Sequence, residues 1–134
     1  MHPTVYLILL LALLVTSSTS AFEAEPVPTS ACQLNAEPGR FEDVEVSVRG
    51  SIYVGVDVMN ISDPACPGVA IQLSVSAEAY RRKDIRDFER SVRKYGMRAT
   101  ATAEGQFHTK APVLPYPMPA IDAHAIKNVV FEAK

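Results

Sequence analysis

Hydrophobic and polar residues alternate over residues 44–58, the pattern of a β-strand that buries one face. Every second residue from Val44 to Val48 is valine, and the residues between them are polar. Gly50 and Gly55 interrupt the run, and glycine inside a strand pattern indicates a bend or a close backbone approach. The segment therefore predicts either one long bent strand or a pair of strands.

Three further segments alternate in the same way and are also predicted to be strands. A cluster of turn-forming residues at 60–68, with two prolines, one asparagine, one aspartate and one glycine, precedes the first of them. In the second, Gly105 breaks the alternation as a β-bulge would. A loop at residues 110–120, with four prolines in eight positions, precedes the last. These predicted strands cover residues 69–75, 97–109 and 121–133.

The spacing of apolar residues changes to a helical period over residues 77–95. Ser76 is suited to cap the start of this helix, and Gly96 lies where a left-handed residue would end it. The apolar positions follow spacings of three, four and three, which places them in one stripe along the helix. The residues of this stripe are Ile85, Phe88, Val92 and Tyr95.

The predicted order is a long strand or strand pair, a strand, one helix, a strand, a Pro-rich loop and a closing strand. This order, with "VSVRGSIYVG", "ACPGVAIQL", the helix and "ATAEGQFH", resembles the OB-fold, and more narrowly a group of small exported bacterial proteins of uncharacterised function. The resemblance implies a mainly β fold. Its form would be a small five-stranded Greek-key barrel with one helix between the third and fourth strands.

The N-terminal region reads as a processing signal followed by a linker. Residues 5–15 form an uninterrupted apolar run, and small residues follow it, which predicts a signal peptide over residues 1–21. Residues 22–40 are Pro-rich, acidic and without periodicity, so they are predicted to be an extended leader. The barrel domain then covers residues 41–134, and the protein is expected to be secreted or periplasmic.

The two cysteines of the chain, Cys32 and Cys66, are predicted to form a disulfide, because an exported protein meets an oxidising compartment. A zinc site would need additional ligands at short spacing, and a nucleophilic cysteine would need a positioned histidine. A third interpretation makes Cys32 the lipid-bearing residue of a lipobox. Its distance from the apolar run argues against that interpretation.

Positive charge is concentrated in the predicted helix. Residues 81–98 contain eight basic and three acidic residues, while the whole chain has a formal charge of −2, so the remainder carries −7. A helical projection places several basic side chains opposite the apolar stripe. They form a candidate anion-binding face, although a solvated helix face is the favoured interpretation. The candidate residues are Arg82, Arg86, Arg90 and Arg93.

Two tyrosines are candidates for a ligand face of the barrel. OB-folds usually bind ligands on their second and third strands and the adjoining loops, which the resemblance maps to Tyr53, residues 60–68 and the Pro-rich loop. Tyr116 in that loop could stack on a base or a sugar. The alternative is that the prolines only stiffen a connection and that Tyr116 packs against the barrel.

Candidate catalytic groups are few. Asp122 and His124 would share one face of the closing strand, and His108 could lie on the neighbouring strand. These three residues could bind a metal, although exposed histidines near strand ends are the favoured interpretation. The chain contains no GxSxG, HExxH or Gly-rich phosphate motif, and no cofactor is predicted.

These patterns predict a secreted, single-domain binding or interaction module of the cell envelope that is not an enzyme. The expected partner is an envelope protein or a glycan, and polyanion binding is compatible with the sequence without being favoured. Two alternatives stay open. One is a metal-dependent hydrolase that uses His108, Asp122 and His124, and the other is a structural envelope component without a small ligand.

Overall fold

The structure, a computed structural model, describes residues 24–94, 96–111 and 117–132. The predicted signal peptide lies outside these residues. The described chain is mainly β, as the alternating pattern predicts. The strands are β1 (Val27–Thr29), β2 (Glu45–Val54), β3 (Met59–Ser62), β4 (Ala70–Ser74), β5 (Arg98–Ala111) and β6 (Met118–Phe131). The helices are α1 (Ala31–Ala36), a 3-10 helix (Pro38–Phe41), α2 (Ala77–Tyr80) and α3 (Lys83–Lys94).

The strands form one sheet of six in the order β1-β2-β3-β4-β6-β5, with an additional antiparallel pairing between β2 and β5. This sheet is not the regular five-stranded barrel that the resemblance implies. The short β1 lies parallel to β2 and pairs with Val46–Val48. On the same edge of β2, the later residues Ser51–Val54 pair with β3. The pairing of β4 with β6 is also parallel.

The segment 44–58 forms one ten-residue strand, β2, followed by a turn, and the next strand, β3, begins only at Met59. Between β2 and β3 the chain turns tightly, and the Gly55 N–H donates to the Val58 carbonyl at 2.7 Å. Val56 therefore lies at the tip of the turn and is 83 % exposed, although its place in the alternation predicts a buried residue. Asn60 and Ser62, assigned to a turn from their composition, belong to β3.

The segment predicted to be an extended leader instead contains β1, α1 and the 3-10 helix. The Ser30 hydroxyl caps α1 by accepting a hydrogen bond from the Gln33 N–H at 3.1 Å. Ala31 and Leu34 are fully buried and belong to the hydrophobic core. Six helical residues are too few to show the apolar period in the sequence, which is why composition alone indicated a linker.

Two helices replace the one predicted, and both lie between β4 and β5. Ser76 caps α2 as predicted, accepting from the Ala79 N–H at 3.1 Å. The N–H groups of Arg81 and Arg82 then donate to carbonyls three residues earlier, and this tighter winding separates α2 from α3. The apolar stripe of α3 is buried at Ile85, Phe88 and Val92, while Tyr95 lies outside the described residues.

The core is formed by the inward residues of the strands together with residues of α1, the 3-10 helix and α3. β5 contributes mainly small side chains to the core, Ala99, Ala101 and Ala103, and pairs antiparallel with β2 on one side and with β6 on the other. The β5–β6 register shifts at Gly105 as the sequence predicts, but the extra residue belongs to β6: it is His124, which lies opposite Glu104 and Gly105. No helix in the described residues is long and apolar enough to cross a membrane.

Candidate functional site

An open cleft of about 550 Å³ lies beside α3 and is lined by Tyr80, Arg86, Glu89, Arg90 and Arg93. We call it the arginine cleft. The three arginines follow spacings of four and three, so they share one face of the helix. The burial of Ile85, Phe88 and Val92 fixes the rotation of α3 and directs that arginine face to solvent. The local sequence pattern thus brings three guanidinium groups to one concave surface.

The charges of the arginine cleft are only partly balanced. Glu89 is shared by two groups: Arg93 approaches it at 2.9 Å, and the Tyr80 hydroxyl donates a hydrogen bond to it. That hydrogen bond to the carboxylate raises the pKa of Tyr80 above its ordinary value. Arg86 and Arg90 form no ion pair with any described residue. The cleft therefore has an excess of positive charge.

Arg82, the fourth residue of the predicted anion-binding face, does not line the arginine cleft. It precedes α3 and forms an ion pair with Asp84 at 3.3 Å. Arg82 instead lines a separate cleft, together with residues of the N-terminal segment and of β2, β5 and β6. The predicted face is thus reduced to Arg86, Arg90 and Arg93.

That second cleft has a volume of about 610 Å³ and brings residues 24–26 together with β2, β5 and β6. Apart from Glu25, its titratable groups already have partners. Glu45 contacts His124, and Lys127 pairs with Glu104 at 2.8 Å. A ligand would have to break these pairs to gain contacts of its own, so the second cleft is the weaker candidate.

The metal-binding group predicted from His108, Asp122 and His124 does not form. In the described part of the chain, the single set of three metal-type donors within 4.8 Å of one another is Glu42, Asp43 and His108. His108 Nδ1 lies 3.2 Å from Asp43 Oδ1 and 4.0 Å from Glu42 Oε1. The antiparallel pairing of β2 with β5 carries the residues before β2 to the level of His108.

Sequence spacing could not reveal this group, because His108 lies 65 positions after Asp43 in the printed chain. The signal that could have found it is the strand pairing itself. Glu45 aligns with Gln106, so residues just before Glu45 must lie beside residues just after Gln106.

The two tyrosines of the predicted ligand face have different outcomes. Tyr53 is half-buried on β2, and the Arg98 guanidinium lies over its ring at 5.1 Å. This cation–π contact covers one face of the ring. Tyr116 lies outside the described residues.

Cys32 and Cys66 form the predicted disulfide, with Cα atoms 5.7 Å apart. No free cysteine remains in the described residues, so neither thiol is available as a nucleophile or zinc ligand. The bond joins α1 to the turn between β3 and β4. Its position beside the core indicates a structural role.

No protein-family model, no curated protein and no solved structure matches the chain. The geometry of the described residues is therefore the basis for a functional proposal. Among the clefts described above, the arginine cleft is where unbalanced charge and a concave surface coincide.

Proposed function

We propose that the chain is an extracytoplasmic, single-domain binding module of the cell envelope, which binds an anionic glycan in the arginine cleft. The observation that carries the proposal is the pair Arg86 and Arg90, which share the cleft and have no carboxylate partner among the described residues. Guanidinium groups hold carboxylate, sulfate and phosphate oxygens through paired hydrogen bonds.

Tyr80 supports a sugar as the carrier of the anionic group. Its side chain forms part of the cleft, and 44 % of the residue is exposed. Amphipathic aromatic rings offer both a flat apolar face and a hydroxyl, which suits a sugar ring with polar edges.

The proposed fold is an OB-like barrel with an added N-terminal strand. The pairings support it, since β2, β3, β4, β6 and β5 are joined in that order and β5 pairs again with β2. The parallel β4–β6 pair and the placement of α2 and α3 after the third of these strands also fit. A likeness in fold does not specify a ligand, so the proposed anionic ligand rests on the arginine cleft and not on the fold.

An extracytoplasmic location is supported by the disulfide, because such bonds persist in oxidising compartments and are rare in the cytosol. The bond also suits a small domain with a limited core. Of the two alternatives, the hydrolase loses support, since His124 contacts Glu45 rather than a shared site with His108. The structural component without a ligand is the outcome expected if the cleft binds nothing.

Binding to a soluble sulfated glycan tests the proposal. We expect the disulfide-bonded protein to bind heparin in 50 mM salt and to lose at least about tenfold in affinity at 200 mM, because bound counterions are released when arginines neutralise a polyanion. Arg86→Glu together with Arg90→Glu should abolish binding. No binding of the unaltered protein at 50 mM salt would refute the proposal.

The matched control is Lys110→Glu compared with Arg86→Glu alone. Both variants change the charge by the same amount, but Lys110 is an exposed residue of β5 that does not line the cleft. Equal losses would show that overall charge, rather than the cleft, governs binding. Vesicles containing anionic lipid form a second arm, and tighter binding to them than to heparin would replace the glycan with a lipid surface.

A further inference from the structure

We infer that Glu42, Asp43 and His108 form a binding site for a divalent transition-metal ion of the zinc type. The site is distinct from the arginine cleft, and the inference does not depend on the proposed function. It combines one imidazole nitrogen with two carboxylates, and all three donor atoms lie within 4.8 Å of one another.

The separations of the donor atoms fit a zinc ion with small adjustments. Ligands at about 2.0–2.1 Å from zinc in tetrahedral geometry lie about 3.3 Å apart. Asp43 Oδ1 is 3.2 Å from His108 Nδ1, and Glu42 Oε1 is 4.0 Å from the same nitrogen. A small movement of the His108 ring toward Glu42 Oε1 would close the longer separation and leave the second oxygen of Glu42 in place. Three protein ligands would leave the fourth position for water.

The backbone on both sides of the site is fixed before any ion binds. The Asp43 N–H donates to the Phe107 carbonyl, and the Phe107 N–H donates to the Val44 carbonyl, each at 2.9 Å. The Gln106 side-chain amide donates to the Asp43 carbonyl at 3.1 Å. These bonds join the turn before β2 to β5, so the ligands from the two segments are held together without the ion.

Glu42 is additionally oriented by its second oxygen. Glu42 Oε2 accepts a hydrogen bond from the Thr109 N–H at 2.6 Å, while Oε1 faces His108. Hydrogen bonding of one carboxylate oxygen is the usual way in which proteins orient a metal-ligating carboxylate. The nitrogen donor of His108 also separates this site from ordinary acidic surface clusters, because calcium and magnesium select oxygen-only ligands.

Zinc titration of the full chain, followed by isothermal calorimetry in a non-chelating buffer, tests the inference. We expect saturable binding of one ion per chain. His108→Ala and Asp43→Asn should each weaken zinc binding at least about tenfold, since each removes one of three ligands. Magnesium should not compete at equal concentration.

His124→Ala is the matched control. His124 is also a surface histidine beside a carboxylate, Glu45, but no third donor joins that pair in the described residues. Its substitution should change zinc affinity less than about twofold. Non-saturable binding, an equal loss in His124→Ala, or unchanged affinity in His108→Ala would each overturn the inference. Circular dichroism of every variant in chelator verifies that the fold is retained.

Discussion

Cys32 and Cys66 hold α1 against the turn between β3 and β4, with their Cα atoms 5.7 Å apart across a sequence separation of 34 residues. Without the bond, α1 would be a six-residue helix held only by its cap and by the burial of Ala31 and Leu34. Helices of this length are unstable by themselves in water, so their position depends on tertiary contacts. The disulfide therefore helps to hold α1 in the position in which Ala31 and Leu34 are buried in the core.

Replacing both cysteines by serine should lower the free energy of unfolding by about 4 kcal/mol, because the unfolded chain regains the entropy of a loop of this length. Guanidinium denaturation of the oxidised protein and of the double variant measures this difference. Reduced protein with its native cysteines should resemble the variant. A loss under about 1 kcal/mol would show that the disulfide contributes little to stability and that core contacts alone hold α1 in place.

The two faces of α3 should differ sharply in their effect on stability. Phe88 is 4 % exposed, so Phe88→Ala should cost about 3 to 5 kcal/mol as a buried large-to-small substitution. Arg86 is exposed on the opposite side, and Arg86→Ala should change stability by no more than about 0.5 kcal/mol. Urea denaturation of both variants provides the comparison. Similar small effects at both positions would contradict the burial of the apolar stripe.

The spacing of apolar residues predicted those strands and helices in which the residues at that spacing are also the buried ones. The inward residues of β2, β4 and β5 and the stripe of α3 are buried as their spacing predicts. It wrongly predicted that Val56 is buried, because the alternation of apolar and other residues happens to continue through the turn at residues 55–58. It also missed α1, which is stabilised by a distant disulfide and by core contacts rather than by its own pattern.

The candidate sites show the same distinction. Arg86, Arg90 and Arg93 lie on one helix, and helical geometry places them together directly from their spacing. The donors around His108 come from a turn and a strand that only the β2–β5 register brings into contact. Pairing register depends on the whole sheet, so the sequence pattern placed His108 beside Asp122 and His124 of the next predicted strand instead of beside Glu42 and Asp43.

The Glu42 carboxylate should make stability depend on pH in the acidic range. The hydrogen bond from the Thr109 N–H favours the ionised form and lowers the pKa of Glu42 below its ordinary value of about 4.3. A lowered folded-state pKa stabilises the protein above the unfolded value, and this contribution is lost as the pH falls through the folded value. Glu42→Gln should therefore be less stable than the unaltered protein near neutral pH.

Thermal unfolding in chelator from about pH 7 down to about pH 3 measures this difference, which should narrow below about pH 4. Asp57→Asn controls for the loss of a negative charge, because Asp57 is exposed and has no partner among the described residues. A difference for Glu42→Gln that stays constant over the whole range would mean that the substitution acts through packing or geometry and not through ionisation.

Gly105 and Gly39 form a matched pair for testing the close approach of β5 and β6. A Cβ at position 105 would lie 2.1 Å from the Asp122 carbonyl oxygen, whereas a Cβ at position 39 would meet nothing within 4 Å. Gly105→Ala must push the two strands apart at the bulge, and we expect a loss of about 1 to 3 kcal/mol or more. Gly39→Ala should be neutral or stabilise by up to about 1 kcal/mol, since alanine reduces the entropy of the unfolded chain. Denaturant unfolding of both variants measures the contrast, and a Gly105→Ala protein as stable as Gly39→Ala would contradict the strand contact at the bulge.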